Sequence, residues 1–182
     1  MSDELVSKTL MPGSSSPVVA GRSELAKSTE VTREFLAFEL GSENYALPLA
    51  SVREILKPPP VTGVPRAPRD VLGIISVRGR ITTVIDLRRR LNLEERPLSK
   101  ASRILLVDRE DEIIGVLVDR VHQVYRLEPE EVEYSNVMGS DASDHFMGIG
   151  RPRSASRSAR GAHALDDHSI LILLDPIPLL RR

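Results

Sequence analysis

Residues 73–91 read GIISVRGRITTVIDLRRRL, and the fold turns on this stretch. Residues 73–77 are an almost unbroken apolar run, and 81–85 are a second run rich in β-branched residues. Arg78-Gly79 stands between them. Two short runs around a Gly-containing pair specify a β-hairpin, and Gly79 supplies the positive φ that such turns need. Asp86 closes the second run as an N-cap, with a short turn of helix predicted over 87–91. From spacing alone, Arg78 and Arg80 read as two solvated arginines at the hairpin tip.

On the N-terminal side, residues 35–56 read FLAFELGSENYALPLASVREIL. Leu36, Phe38 and Leu40 alternate with Ala37 and Glu39. After Gly41-Ser42, Tyr45, Leu47 and Leu49 alternate with Ala46 and Pro48. This predicts strand, turn, strand, the second strand ending or lying at an edge because Pro48 has no N–H to donate. Val52, Ile55 and Leu56 recur at helical spacing and predict a short helix. Lys57-Pro58-Pro59-Pro60 forces an extended path toward a short strand at 61–65 and a turn of helix at 67–72. Residues 1–32 are polar and aperiodic, with Pro12-Gly13 and a serine run, and read as a disordered arm.

On the C-terminal side, 93–100 is a polar link and the expected boundary between two halves. Strands follow at 103–107, 113–118 and 121–127, with Val121, Tyr125 and Leu127 expected on one face. A turn or brief helix follows at 128–132 and a strand at 146–150. Residues 151–162, RPRSASRSARGA, are rich in arginine and serine and have no acid; with the residues up to 168 they read as a mobile insertion. A last strand at 169–174 leads to Asp175, which caps a short helix over 175–182 with Pro176 at its first position. Residues 73–77, 104–107 and 113–118 are apolar on both alternating faces, whereas a one-sided sheet alternates cleanly. One face is expected to fill a small barrel, and the other to be covered by a neighbouring barrel or helix. Part of that second face is also suited to a partner groove.

Composition narrows the function. The chain has 182 residues, a formal net charge of −1 and no cysteine. Balanced charge gives no general pull toward nucleic acid or anionic lipid. Without cysteine there is no disulfide framework, thiol nucleophile or thiolate metal site. Asp3 and Glu4 stand where a signal peptide would be basic, and no apolar run approaches the roughly 18–20 residues of a membrane span. A soluble, cytoplasmic protein is expected. Of the four histidines, His163 and His168 flank Asp166-Asp167 without a familiar ligand spacing, so no metal or other cofactor is expected. No phosphate-binding or nucleophile-elbow motif occurs, so no catalytic residue is assigned. Asp86, Asp119 and Asp175 follow strands as turn or cap residues. Phe35, Phe38, Tyr45 and Phe146 all read as core, which leaves no stacking platform for single-stranded nucleic acid.

The hairpin stretch resembles the signature of the CheW family of chemotaxis coupling proteins, close to G-V-I-N-L-R-G-x-I-x-P-V-I-D-L-R. Gly73, Arg78, Gly79, Ile81, Val84, Ile85, Asp86, Leu87 and Arg88 match; Ser76-Val77 replaces Asn-Leu and Thr83 replaces Pro. Val52, Glu54 and Ile55 match the family's V-x-E-I element. IIGVLVDRVHQV (113–124), FMGIG (146–150) and SILILLDPIPLLRR (169–182) continue the likeness in family order.

The resemblance implies an all-β fold of two packed five-stranded SH3-like barrels, the first roughly 33–92 and the second roughly 101–174. It implies a non-catalytic adaptor that joins a methyl-accepting chemoreceptor to a CheA-type histidine kinase. The receptor tip would lie in a hydrophobic groove between barrels, and the kinase regulatory domain, of the same fold, against exposed barrel ends. It implies partner-binding roles for Val52, Glu54, Ile55, Arg78 and Gly79, with Arg78 either bracing the fold or touching a partner. Two other readings stand beside it: an adaptor of a motility or developmental pathway with altered partners, and a small-ligand or metal-binding enzyme.

Overall fold

The computed structural model describes residues 32–109, 112–134, 145–153 and 170–181. The arm at 1–31 and most of the arginine- and serine-rich insertion, with His163 and His168, lie outside the described residues. Chain order begins β1 (Arg33–Leu40), β2 (Glu43–Pro48), β3 (Val52–Leu56), β4 (Val71–Val77), β5 (Arg80–Asp86) and α1 (Leu87–Arg90). It continues β6 (Arg103–Arg109), β7 (Glu112–Val118), β8 (Arg120–Leu127), β9 (Val132–Tyr134), β10 (Phe146–Gly150), β11 (Leu171–Leu174) and α2 (Pro176–Leu179). Short 3-10 turns at Leu49–Ser51 and Pro129–Glu131 join β2 to β3 and β8 to β9.

Among the described residues the strands form two sheets. One has six strands in the order β8-β1-β2-β11-β10-β9, the other five in the order β3-β6-β7-β5-β4. The first thus has one strand more than expected, the three-residue edge strand β9. The sheets also do not follow the two halves of the chain. All of the second sheet comes from the continuous stretch 52–118, while the first takes β1 and β2 from before it and β8 to β11 from after it. The polar link 93–100 therefore lies inside one sheet. It is polar because it is an exposed connection, and polarity alone does not mark a domain boundary.

The doubly apolar strands have a simple cause. Phe35, Ala37, Ala46, Tyr125, Leu127, Leu171 and Leu173 face the interior of the first sheet. Ile75, Val84, Ile104 and Leu106 face the interior of the second. The alternate residues, among them Leu36, Phe38, Leu47, Leu105, Val107, Val116 and Leu174, meet in a third cluster between the sheets, closed by Leu179 and Leu180 after β11. Each central strand is buried on both faces because each face has its own core. Val121, expected with Tyr125 and Leu127, packs instead against the shared cluster, because a register shift separates Val121 from Val124 opposite β1.

The local readings hold at the hairpin. β4 and β5 pair antiparallel through Ser76↔Ile81 and Val77↔Arg80. Arg78 and Gly79 have φ of 50° and 80°, the double positive φ of a type I′ turn. Asp86 caps α1 by accepting from the Arg88 N–H at 2.9 Å, and Asp175 caps α2 by accepting from the Ile177 N–H at 2.9 Å. Three expectations give way. Residues 52–56 form strand β3 rather than a helix; the expected strand at 61–65 is only a bridge between Thr62 and Ile74; and the turn of helix at 67–72 is a bend whose last two residues already belong to β4.

Candidate functional site: strand β3 and the β4–β5 hairpin

β3 is an edge strand held by β6. Its register against β6 shifts between Val52 and Glu54, so that Val52 opposes Val107 while Glu54, Ile55 and Leu56 oppose Leu106, Leu105 and Ile104. Directly opposed residues project to the same side. Val107 and Leu105 belong to the shared core and Leu106 to the interior of the second sheet. The bulge therefore puts Val52 and Ile55 on the inter-sheet side and Glu54 on the other. Val52 packs against the shared core at its rim, beside Leu49, while Ile55 remains 44% exposed.

Glu54 reaches the hairpin. An Arg78 Nη donates to Glu54 Oε1 at 3.0 Å across 24 positions of sequence. The Arg78 side chain is 80% exposed. Arg78 is thus no buried brace: its backbone is in the left-handed region, unfavourable for a residue with a Cβ, and its guanidinium stands in solvent. Beside the pair runs a groove of about 520 Å³ lined by Arg53, Glu54, Arg78, Arg80, Thr83 and Ile113, among others. Ile81 on its wall is 69% exposed, and Arg53 pairs with Asp108 at 2.5 Å. Arg80 lines the same groove as Arg78 and is exposed. Of the five residues singled out from sequence, Glu54, Arg78 and Gly79 come together at the hairpin. Val52 and Ile55 lie on the other face of the same strand.

Sequence reasoning missed a second arginine, ten positions on. Arg88 is buried at 4% exposure. It donates from Nε to Asp119 Oδ1 at 2.9 Å, from Nη2 to Asp119 Oδ2 and from Nη1 to the Glu94 carbonyl at 2.7 Å. Asp119 Oδ2 also accepts from the Gly41 N–H at 2.8 Å. Burial alone would raise the Asp119 carboxyl, but the Arg88 and Gly41 donors outweigh it and hold it below the ordinary carboxylate value. Arg88 follows a strand of the second sheet, Gly41 is the β1–β2 turn of the first, and Asp119 is where the chain passes between them. The bracket ties the two sheets together at the end of β5 away from the hairpin turn. The cue available in sequence was Arg88's place in a capped turn whose neighbour Leu87 is apolar.

A six- and five-stranded pair of sheets sharing one core, with a V-x-E-I strand ion-paired to an R-G hairpin, invites comparison with known proteins. The model of the CheW-like domain matches residues 34–182. The chain belongs to the CheW-like family. It is 32% identical over 125 residues to chemotaxis protein CheW of Helicobacter pylori, covering 69% of this chain and 76% of that one. The crystal structure of scaffolding protein TtCheW from Thermoanaerobacter tengcongensis superimposes with a TM-score of 0.70 at 28% identity, over 84% of this chain and 94% of that chain. Protein FrzA of Myxococcus xanthus is 26% identical over 125 residues, 69% of this chain and 78% of its own. This CheW-like chain is a signalling scaffold of the chemotaxis type, not an enzyme. Among the described residues no cluster of His, Asp and Glu could hold a metal, and no helix is long and apolar enough to cross a membrane.

Proposed function

We propose that this CheW-like protein couples a methyl-accepting chemoreceptor to a CheA-type histidine kinase at a cytoplasmic signalling array, and that β3 serves both contacts. The kinase regulatory domain meets the hairpin side, through Arg78, Gly79 and Glu54. The receptor tip meets the inter-sheet side, through Val52 and Ile55. The observation that carries this is Arg78 itself. A type I′ turn favours Asn or Gly at its first central position, so an arginine there, exposed and aimed across the groove at Glu54, serves something other than local folding. A guanidinium in that position offers a fixed fork of donors to a partner's carboxylate or carbonyl oxygens.

The test is a pull-down with a cognate kinase and receptor signalling domain. Arg78→Ala is expected to weaken kinase capture while receptor capture persists; Ile55→Asp is expected to do the reverse. Loss of neither, in folded variants, would sink the assignment. A second reading has its own support: an adaptor with altered partners outside chemotaxis. The departures Val77 and Thr83 line the groove beside Arg78, and not every relative carries a chemotaxis name. Capture of a kinase from a different pathway in preference to a chemotaxis kinase would favour it.

A further inference from the structure

The edge of the five-stranded sheet away from β3 carries a second groove, of about 480 Å³, between the segment 64–68 that leads into β4 and the C-terminal helix α2. Its lining includes Val71, Ile85, Ile114, Leu179 and Leu180, and Val64 on its wall is 42% exposed. Three guanidiniums reach it. Arg90 is committed: it pairs with Asp70 at 3.1 Å and donates to the carbonyls of Leu179 at 2.9 Å and of Arg181. Arg66 and Arg181 are exposed, and among the described residues neither side chain has a hydrogen bond or ion pair. Arg66 is also held at a φ of 61°, a conformation that disfavours a residue with a Cβ.

An apolar floor with two uncommitted cations in its lining selects for apolar side chains next to carboxylates. A basic segment would be repelled by both. A nucleic acid would find two cations where a phosphate backbone needs a track of them, and an apolar floor it cannot use. We propose that this groove docks a partner protein through a short acidic segment carrying apolar anchor residues, at a surface separate from both faces of β3.

The probe is a fluorescent peptide of about twelve residues with leucines at i and i+3 flanked by glutamates, and the same peptide with lysines replacing the glutamates. Both are titrated into the full chain by anisotropy and by NMR of the labelled protein. The acidic peptide is expected to bind, to perturb the amides of Val64, Val71 and Leu180, and to lose at least about tenfold in affinity when Arg66→Glu and Arg181→Glu are combined. Arg66→Gly, which relieves the backbone and removes the charge, is expected to raise the thermal midpoint yet weaken the peptide. Arg78→Ala is expected to leave the peptide's affinity unchanged, which keeps this site distinct from the hairpin. No binding, equal binding of the lysine peptide, perturbations confined to other residues, or indifference to the Arg66 and Arg181 changes would each overturn the proposal. So would self-association of the chain through this groove, seen by sedimentation and abolished by Arg181→Glu.

Discussion

Arg78 is four-fifths exposed, so its ion pair with Glu54 contributes at most about 1 kcal/mol to stability. Arg78→Ala should therefore change unfolding free energy by less than about 1 kcal/mol. Arg78→Asn, better suited to the type I′ turn, should raise it by a few tenths. A loss of several kcal/mol on denaturant titration of Arg78→Ala would mean that the side chain braces the fold after all. Arg88, in the same motif, behaves oppositely. Arg88→Ala strands the Asp119 carboxylate, and the expected loss is about 3–5 kcal/mol. Acidity separates the two carboxylates around it. Asp119 is depressed by its donors, so its contribution is present above the unfolded pKa and lost as pH falls through the folded one. Asp86 is raised, chiefly by burial, so its contribution is present below the unfolded pKa and lost as pH rises through the folded one. Stability measured against pH should lose its steepest acid decline in Asp119→Asn, whereas Asp86→Asn should keep it. The motif contained both arginines, but nothing in the string told them apart. Burial depends on what the other sheet delivers, and Asp119 arrives from 31 positions away.

At the scale of elements, the one misread class teaches most. Val52 and Ile55 lie three apart, a spacing that predicts a helix. In the structure the bulge in β3 consumes one residue, so two positions three apart share a face of a strand. A single bulge imitates helical periodicity over so short a run, and only the partner strand reveals it. The hairpin, by contrast, was legible because its turn chemistry and both apolar runs are local. Gly73 belongs with the features that distance hides. Its φ is 150°, and a Cβ there would collide with the Thr62 carbonyl oxygen. That carbonyl accepts from the Ile74 N–H at 2.8 Å, and the Thr62 N–H donates back at 2.9 Å. Gly73→Ala must break this bridge or bend the strand, and should cost roughly 2 kcal/mol or more, read as a lowered denaturation midpoint with an unchanged slope. The arginine- and serine-rich insertion makes a different prediction. Gly150 opposes Leu171 in the β10–β11 pair, so the two strands that flank the insertion are already held together. Replacing 154–168 by a short Gly-Ser link should leave stability within about 1 kcal/mol, since closure entropy changes by only about 0.6 kcal/mol per doubling of length.

Across the whole molecule, two sheets share one central core, and that decides how it unfolds. Leu105 is fully buried in the middle of this cluster. Leu105→Ala should cost about 2–5 kcal/mol, and both sheets should melt in one transition, with calorimetric and van't Hoff enthalpies in agreement. Two resolved transitions would show that the sheets are independent.

The nesting of one sheet within the other also sets an order of events on the ribosome. By the time residue 118 has emerged, every strand of the second sheet is available. β1 and β2, made first, still lack β8, which follows directly, and β11, made last, which is the parallel neighbour of β2. For the length of chain between Pro48 and Leu171, β2 has no partner on that edge. Tyr45 and Leu47 on one face, and Ala46 on the other, must wait for it. The protein is therefore open to mispairing until β11 is made, while a full set of second-sheet strands faces a first sheet still missing one.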